Sequence, residues 1–297
     1  MAEPIDNRYD FILFFDCKNG NPNGDPDAGN LPRIDPDTGQ GIVSDVCLKR
    51  KVRNYVDLVK GQSLDDSVDP ETGQGYKIYV QEAAVLNERN KLAYVHNGMK
   101  SFSKPKKIEE QRQVTQFMCD NFYDIRAFGA VMTTEINCGQ VRGPIQMCFA
   151  ESVDPVMPMD MSITRMAVTN AKDKDKERTM GRKQYIPYGL YRAEGFVSAS
   201  LAKKTGFSEA DLHLFWEALM NMFENDRSAA RGLMSSRKLI IFKHDSAIGN
   251  APAIKLFDTV TTKRLVSADK VTRAYSDYEI VIDRDAVPAG VHIEVVE

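Results

Sequence analysis

The sequence predicts an α+β fold of the ferredoxin-like kind, an antiparallel sheet with helices on one face. Three observations predict it. The main elements run strand, helix, strand, strand, helix, strand; each of the two helices has one apolar face behind a serine cap; and the strands are short apolar or alternating runs bounded by turn residues. Such a sheet buries one face under its helices and leaves the other free for a ligand. At 297 residues, 42% hydrophobic and 27% charged, the chain is long enough to bury a full core and allows one or two domains.

The first strand is the continuous apolar run at 11–15, which suits burial on both faces, and it stops at the turn-rich sequence Asn19-Gly20-Asn21-Pro22-Asn23-Gly24-Asp25-Pro26. Ser44 is then a candidate N-cap, after which Leu48, Val52, Tyr55, Val56 and Val59 recur at helical spacing. At about 100° per residue, Lys49 and Arg53 share a stripe beside that face, with Arg50 on the same side and Lys51 elsewhere. A basic helix edge next to a glycine-rich loop containing Asn21 suits a phosphate backbone, because the cations neutralise phosphates while loop N–H groups donate to their oxygens. The competing explanation is a merely solvated helix flank.

Asp35-Pro36-Asp37-Thr38-Gly39-Gln40-Gly41 returns as Asp69-Pro70-Glu71-Thr72-Gly73-Gln74-Gly75. Asp-Pro opens turns and Thr-Gly closes them, so two surface turns of one type are expected and not a metal loop, which would need more carboxylates. Residues 61–115 read as an insertion. A helix over 109–121 leads into the run 122–132, where Gly129 permits close backbone approach and Arg126, Phe128 and Met132 offer a cation and stacking surfaces; core packing explains Phe128 and Met132 equally well.

Ile145, Met147 and Phe149 alternate with Gln146, Cys148 and Ala150 and mark the second strand. The third runs through 190–200; Ser208 caps the second helix, whose apolar face is Leu212, Phe215, Trp216, Leu219 and Phe223; the fourth strand is 239–242, with weaker candidates at 278–282 and 291–296. Between the second and third strands, residues 165–192 hold eight Lys and Arg against three Asp and Glu, an excess of five positive charges in a chain of net charge -3. Arg165, Lys172, Lys174, Lys176, Arg178, Arg182 and Lys183, with Met180, Tyr185 and Tyr188 among them, read as a projecting hairpin whose cations hold a nucleic-acid backbone while bases stack on the interleaved side chains. A solvated loop is the alternative. A second basic stretch, 227–238, carries Arg231 and Arg237 among small residues that let a ligand backbone come close.

No apolar run approaches the ~20 residues of a membrane span, and Met1-Ala2-Glu3-Pro4 lacks the regions of a signal peptide, so a cytoplasmic protein without a membrane partner is expected. Five cysteines, odd in number and without a Cys-x-x-Cys pair, indicate buried thiols and neither disulfides nor zinc. The net charge argues against a uniformly basic nucleic-acid binder, not against local patches.

The first strand with its Asn-Gly-Asn-Pro-Asn-Gly loop, the pattern Ser44-x-x-x-Leu48-Lys49-Arg50-x-x-Arg53, the segment Arg126-Ala127-Phe128-Gly129-Ala130-Val131-Met132 and the order of elements after it resemble the seventh family of CRISPR-associated proteins, specifically the backbone subunit of the type I-C Cascade surveillance complex. The resemblance covers nearly the whole chain. It implies a ferredoxin-like palm (1–60, 116–164 and 189–297, the last with the C-terminal strands), related to the RNA-recognition modules, with a finger insertion (61–115) and a thumb hairpin (165–188). It further implies copies stacked helically along a guide RNA, gripped by Lys49, Arg50 and Arg53, with Phe128 or Met132 wedged against bases. Target DNA is then read by base pairing with the guide, and other Cascade subunits are partners. No cofactor, metal or catalytic residue is implied. The rival is a ferredoxin-like endoribonuclease processing CRISPR RNA, for which His96, His213, His244 and His292 would have to supply acid and base; each reads as structural. A shell protein that binds no RNA would not explain the basic hairpin.

Overall fold

In the computed structural model, residues 2–176, 178–267 and 269–297 are described. The first part of the chain forms β1 (Tyr9–Gly20), the two-residue strands β2 (Gly24–Asp25) and β3 (Leu31–Pro32), β4 (Gln40–Val43), α1 (Asp45–Lys60), α2 (Leu86–His96), α3 (Ile108–Asn121) and α4 (Tyr123–Phe128). The middle forms β5 (Gly129–Met132), β6 (Gly139–Arg142), β7 (Ile145–Met147), β8 (Ala150–Pro155), β9 (Met159–Arg165), β10 (Thr179–Val197), α5 (Ala199–Thr205) and α6 (Glu209–Asn221). The chain ends with β11 (Leu233–His244), α7 (Ala253–Phe257), β12 (Val260–Arg264), β13 (Tyr278–Ile282) and β14 (Val291–Val296).

The central sheet is antiparallel, ordered β14-β11-β1-β10-β8-β4, with β7 and β9 also paired to β10. β1 lies between the two longest partners: Leu13 is opposite Ala193 on one side and Leu239 on the other. Alternation along β1 sends Phe11, Leu13, Phe15 and Cys17 to one face, where they pack with Leu48, Val52 and Val56 of α1 and Leu212, Phe215 and Leu219 of α6. Both helices start as expected. Ser44 Oγ accepts from the Cys47 N–H, and Ser208 forms a capping box with Asp211. Val59 departs from its expected place on the apolar face and is exposed.

The expectation of an open second face is overturned. Ile12 and Phe14 point into it with Tyr188, Leu190, Ile240 and Phe242, and the segment after β11 covers them with Leu256, Phe257, Val260 and Tyr278. The unbroken apolar run at 11–15 already required this, since an open face would leave alternate positions in water. A third, smaller cluster lies apart from the sheet, where Tyr79, Tyr94, Val114, Met118, Phe122, Ile125 and Met132 pack together.

Both Asp-Pro repeats form the same turn. Gly39 N–H donates to Asp35 O at 2.8 Å and Gly73 N–H to Asp69 O at 2.7 Å, with both glycines at positive φ, 71° and 72°. The second and third strands differ from expectation in extent. Ile145 and Met147 are buried in β7, but the strand stops there and Phe149 is exposed. β10 begins at residue 179, well before 190, because its first residues pair only with β9 and so need no apolar pattern. It ends at Val197, and Ser198 caps the unforeseen α5.

Candidate nucleic-acid interface

The basic edge of α1 is largely engaged within the protein. Lys49 pairs with Asp45 at 2.8 Å and Arg53 with Asp124 at 2.7 Å, and their side chains are only 13% and 11% exposed. Asp124 also accepts the N–H groups of Tyr79 and Val80, so it is fully committed. The Phe128 ring is buried against Phe215, with Lys49 Nζ 5.8 Å and Arg53 Cζ 5.2 Å from its centroid. Arg50 is the open member of the set, 56% exposed and paired with Glu82 at the surface. Lys51, off that stripe, is buried and pairs with Asp226, which also pairs with Arg231.

The glycine-rich loop also spends its donors internally. Asn21 N–H donates to Ala230 O at 2.8 Å and Asn21 Nδ2 to Asn30 O at 2.7 Å, and Asn21 is buried. The small residues before β11 serve this same close contact: a Cβ on Gly232 would lie 2.4 Å from Asn19 O, so the neighbouring backbone occupies the space assigned to a ligand. Arg237 pairs with Asp16 at 2.9 Å and stacks over Tyr275. Tyr188 donates to the same Asp16 carboxylate, and burial, with Asp16 beside it, pushes its phenol up. Tyr188 therefore belongs to the second-face core and not to a stacking surface.

Arg126 is the clearest correction. It is fully buried, with Nε and Nη2 on the two oxygens of Asp211 at 2.9 and 2.8 Å, Nη1 on Cys119 O and Nη2 on Gly75 O. Met132 is buried in the third cluster, so neither expected wedge residue stands free. The exposed apolar side chain of that segment is Val131, 64% exposed on the β5–β6 hairpin. Strand alternation would have found it, since Val131 and Met132 must point to opposite faces.

The β9–β10 hairpin keeps its chemistry outward. The ladder runs from Arg165 opposite Thr179 to Met159 opposite Tyr185, and every residue of β9 is exposed. Met159, Met161, Ile163 and Arg165 share one face with Tyr185, Lys183 and Gly181; Asp160, Ser162 and Thr164 share the other with Gln184, Arg182 and Met180. Lys172, Lys174 and Arg178 are exposed in the connecting loop; the Lys176 side chain lies outside the described residues. Arg165 bonds within the loop, to Ala167 O and Thr169, while Arg182 pairs loosely with Asp160 at 3.3 Å. Met180 is 74% exposed. The sequence reading missed β9, although Met-Asp-Met-Ser-Ile-Thr-Arg alternates with period two.

Fold and surface together define a mixed α+β protein with a central antiparallel sheet and a projecting basic arm that continues the sheet's strand β10. The family model described as CRISPR-associated protein Cas7 matches residues 7–283, and the chain belongs to this family. A CRISPR-associated protein Cas7 from Haloferax volcanii is 28% identical over 238 residues, which cover 72% of this chain and 65% of the relative's length. Among solved structures, a chain of "CRISPR RNA-guided surveillance complex, pre-nicking" has a similar fold, with a TM-score of 0.50 at 17% identity over 79% of this chain and 78% of that one.

Proposed function

We propose that this chain is a non-catalytic backbone subunit of a type I-C CRISPR surveillance complex in the cytoplasm, stacking in helical copies along guide RNA and presenting its bases to target DNA. Membership of the Cas7 family supports the reading. The observation that carries it is the β9–β10 arm, where exposed cations and methionines lie on a two-stranded ribbon extending a central strand. Cations hold phosphates and apolar side chains meet bases, without reading sequence, which suits a guide whose sequence varies.

In this reading the strand order β11-β1-β10-β8 supports a ferredoxin-like palm built from 1–60, 116–164 and 189–297, carrying a finger at 61–115 and a thumb at 165–188. Arg50 and the arm cations Lys172, Lys174, Arg178, Arg182 and Lys183 are the RNA contacts, with Val131 as the wedge. The protein is to be purified with a CRISPR array and its sister subunits, treated with nuclease, and the retained RNA sequenced. Protected RNA of guide length in a large particle is expected. A monomer free of nucleic acid overturns the reading, and RNA cleaved by the protein alone favours the endoribonuclease.

A further inference from the structure

The cations of the α1 edge and neighbouring loops have partners: Lys49, Arg50, Arg53, Arg231 and Arg237 each pair with a carboxylate. A different surface lacks this compensation. Between α3, the β5–β6 hairpin and α5 runs a groove of about 920 Å³ lined by Lys104, Arg112, Arg142 and Lys204 against one carboxylate, Glu109. Among the described residues none of these four cations has an ion pair, and all four are exposed. The groove draws no lining residue from α1, the β9–β10 arm or the 227–238 stretch, and it meets the proposed RNA contacts only at the β5–β6 hairpin, where its lining residue Gln140 is the strand partner of Val131.

Its chemistry also differs from that of the arm. Where the arm offers Met180 and Tyr185, the groove wall has no aromatic residue and is rich in amides, Gln116 among them. Stacking surfaces mark sites for unpaired bases, whereas cations and amides without them suit a sugar-phosphate backbone whose bases are turned away into pairs. We propose that this groove binds the phosphodiester backbone of a nucleic-acid duplex, independently of any strand held by the arm. Uncompensated charge makes such binding insensitive to sequence and steeply dependent on salt.

The test is a full-length variant with Lys104, Arg112, Arg142 and Lys204 all changed to Gln, compared with the unaltered protein for binding a short fluorescent DNA duplex and the single strand of the same sequence. Exposed neutral substitutions leave the melting temperature unchanged. Duplex affinity at fixed salt is expected to fall at least about tenfold, and the slope of log K against log salt to shrink by up to about 3.6, near 0.9 for each of four lost phosphate contacts. RNA retained on co-purification is expected to stay the same. Unchanged duplex affinity overturns the proposal; an equal loss for the single strand overturns its duplex assignment; a parallel loss of retained RNA makes the groove part of the RNA path and overturns its independence. Duplex binding is read on the purified chain, so it stands even where no guide RNA is retained and the backbone-subunit reading fails.

Discussion

Arg126 and Arg182 are the same residue type with opposite duties, and burial decides which. Arg126 neutralises Asp211, whose carboxylate also caps α6 through Ser208. Removing the guanidinium leaves a buried carboxylate unpaired, so Arg126→Ala is expected to lower unfolding free energy by about 3–5 kcal/mol, measured by urea denaturation. Arg182→Gln, on the exposed arm, is expected to change it by less than about 0.5 kcal/mol. An Arg126→Ala protein of normal stability would refute the structural role. Arg53 belongs with Arg126: reversing its charge would set a carboxylate against Asp124. A charge change aimed only at RNA belongs at Arg50 or on the arm. The thiols follow the same logic, since burial, reinforced by Asp16, pushes Cys17 up to about 12 and leaves it inert.

At the scale of the element, β10 does two jobs along one strand. Its C-terminal half is the sheet's neighbour to β1, with Leu190, Tyr191 and Ala193 buried; its N-terminal half pairs only with β9 in solvent. An isolated two-stranded ribbon has little stability of its own, so the arm's outer end contributes little to the core. Replacing residues 166–178 by Asn-Gly, a two-residue hairpin turn, is therefore expected to leave the melting temperature within about 2 °C of the parent. In the proposed function it should also release bound RNA, read by nuclease protection. A large loss of stability would show that the loop packs on the sheet. The arm was legible as a basic hairpin because charge concentrates there. Its true start at Met159 was not, because a solvated strand shows alternation without the apolar runs that flag a buried one.

At the scale of the molecule, the sheet is a middle layer. Helices α1 and α6 cover one face, and the segment from α7 to β13 covers the other. Phe257 sits in that cover, near Phe196 and Phe242 with ring centroids 5.8 and 6.4 Å away. Phe257→Ala is expected to cost about 3–5 kcal/mol by denaturant unfolding, the range for a buried phenylalanine. A cost under about 1 kcal/mol would mean that the second face is open after all. With both faces covered, the nucleic acid of the proposed function is left the arm, the loops and the rim. A central antiparallel sheet with helices packed on it was legible from the succession of elements, but the cover was not, since α7, β12 and β13 are short and weakly patterned.

From the sequence alone came the α+β class, both capped helices, the twin Asp-Pro turns, the basic hairpin and the family resemblance. All rest on local chemistry: periodicity, cap residues, turn dipeptides and charge density are written in neighbouring positions. Tertiary structure alone decided which cations are free. Lys49 and Arg231 meet Asp45 and Asp226 within five residues of themselves, whereas Arg53, Arg126 and Arg237 meet Asp124, Asp211 and Asp16 from distant parts of the chain. A charge pairs with whatever the fold brings within a few ångströms, and sequence separation does not report that distance.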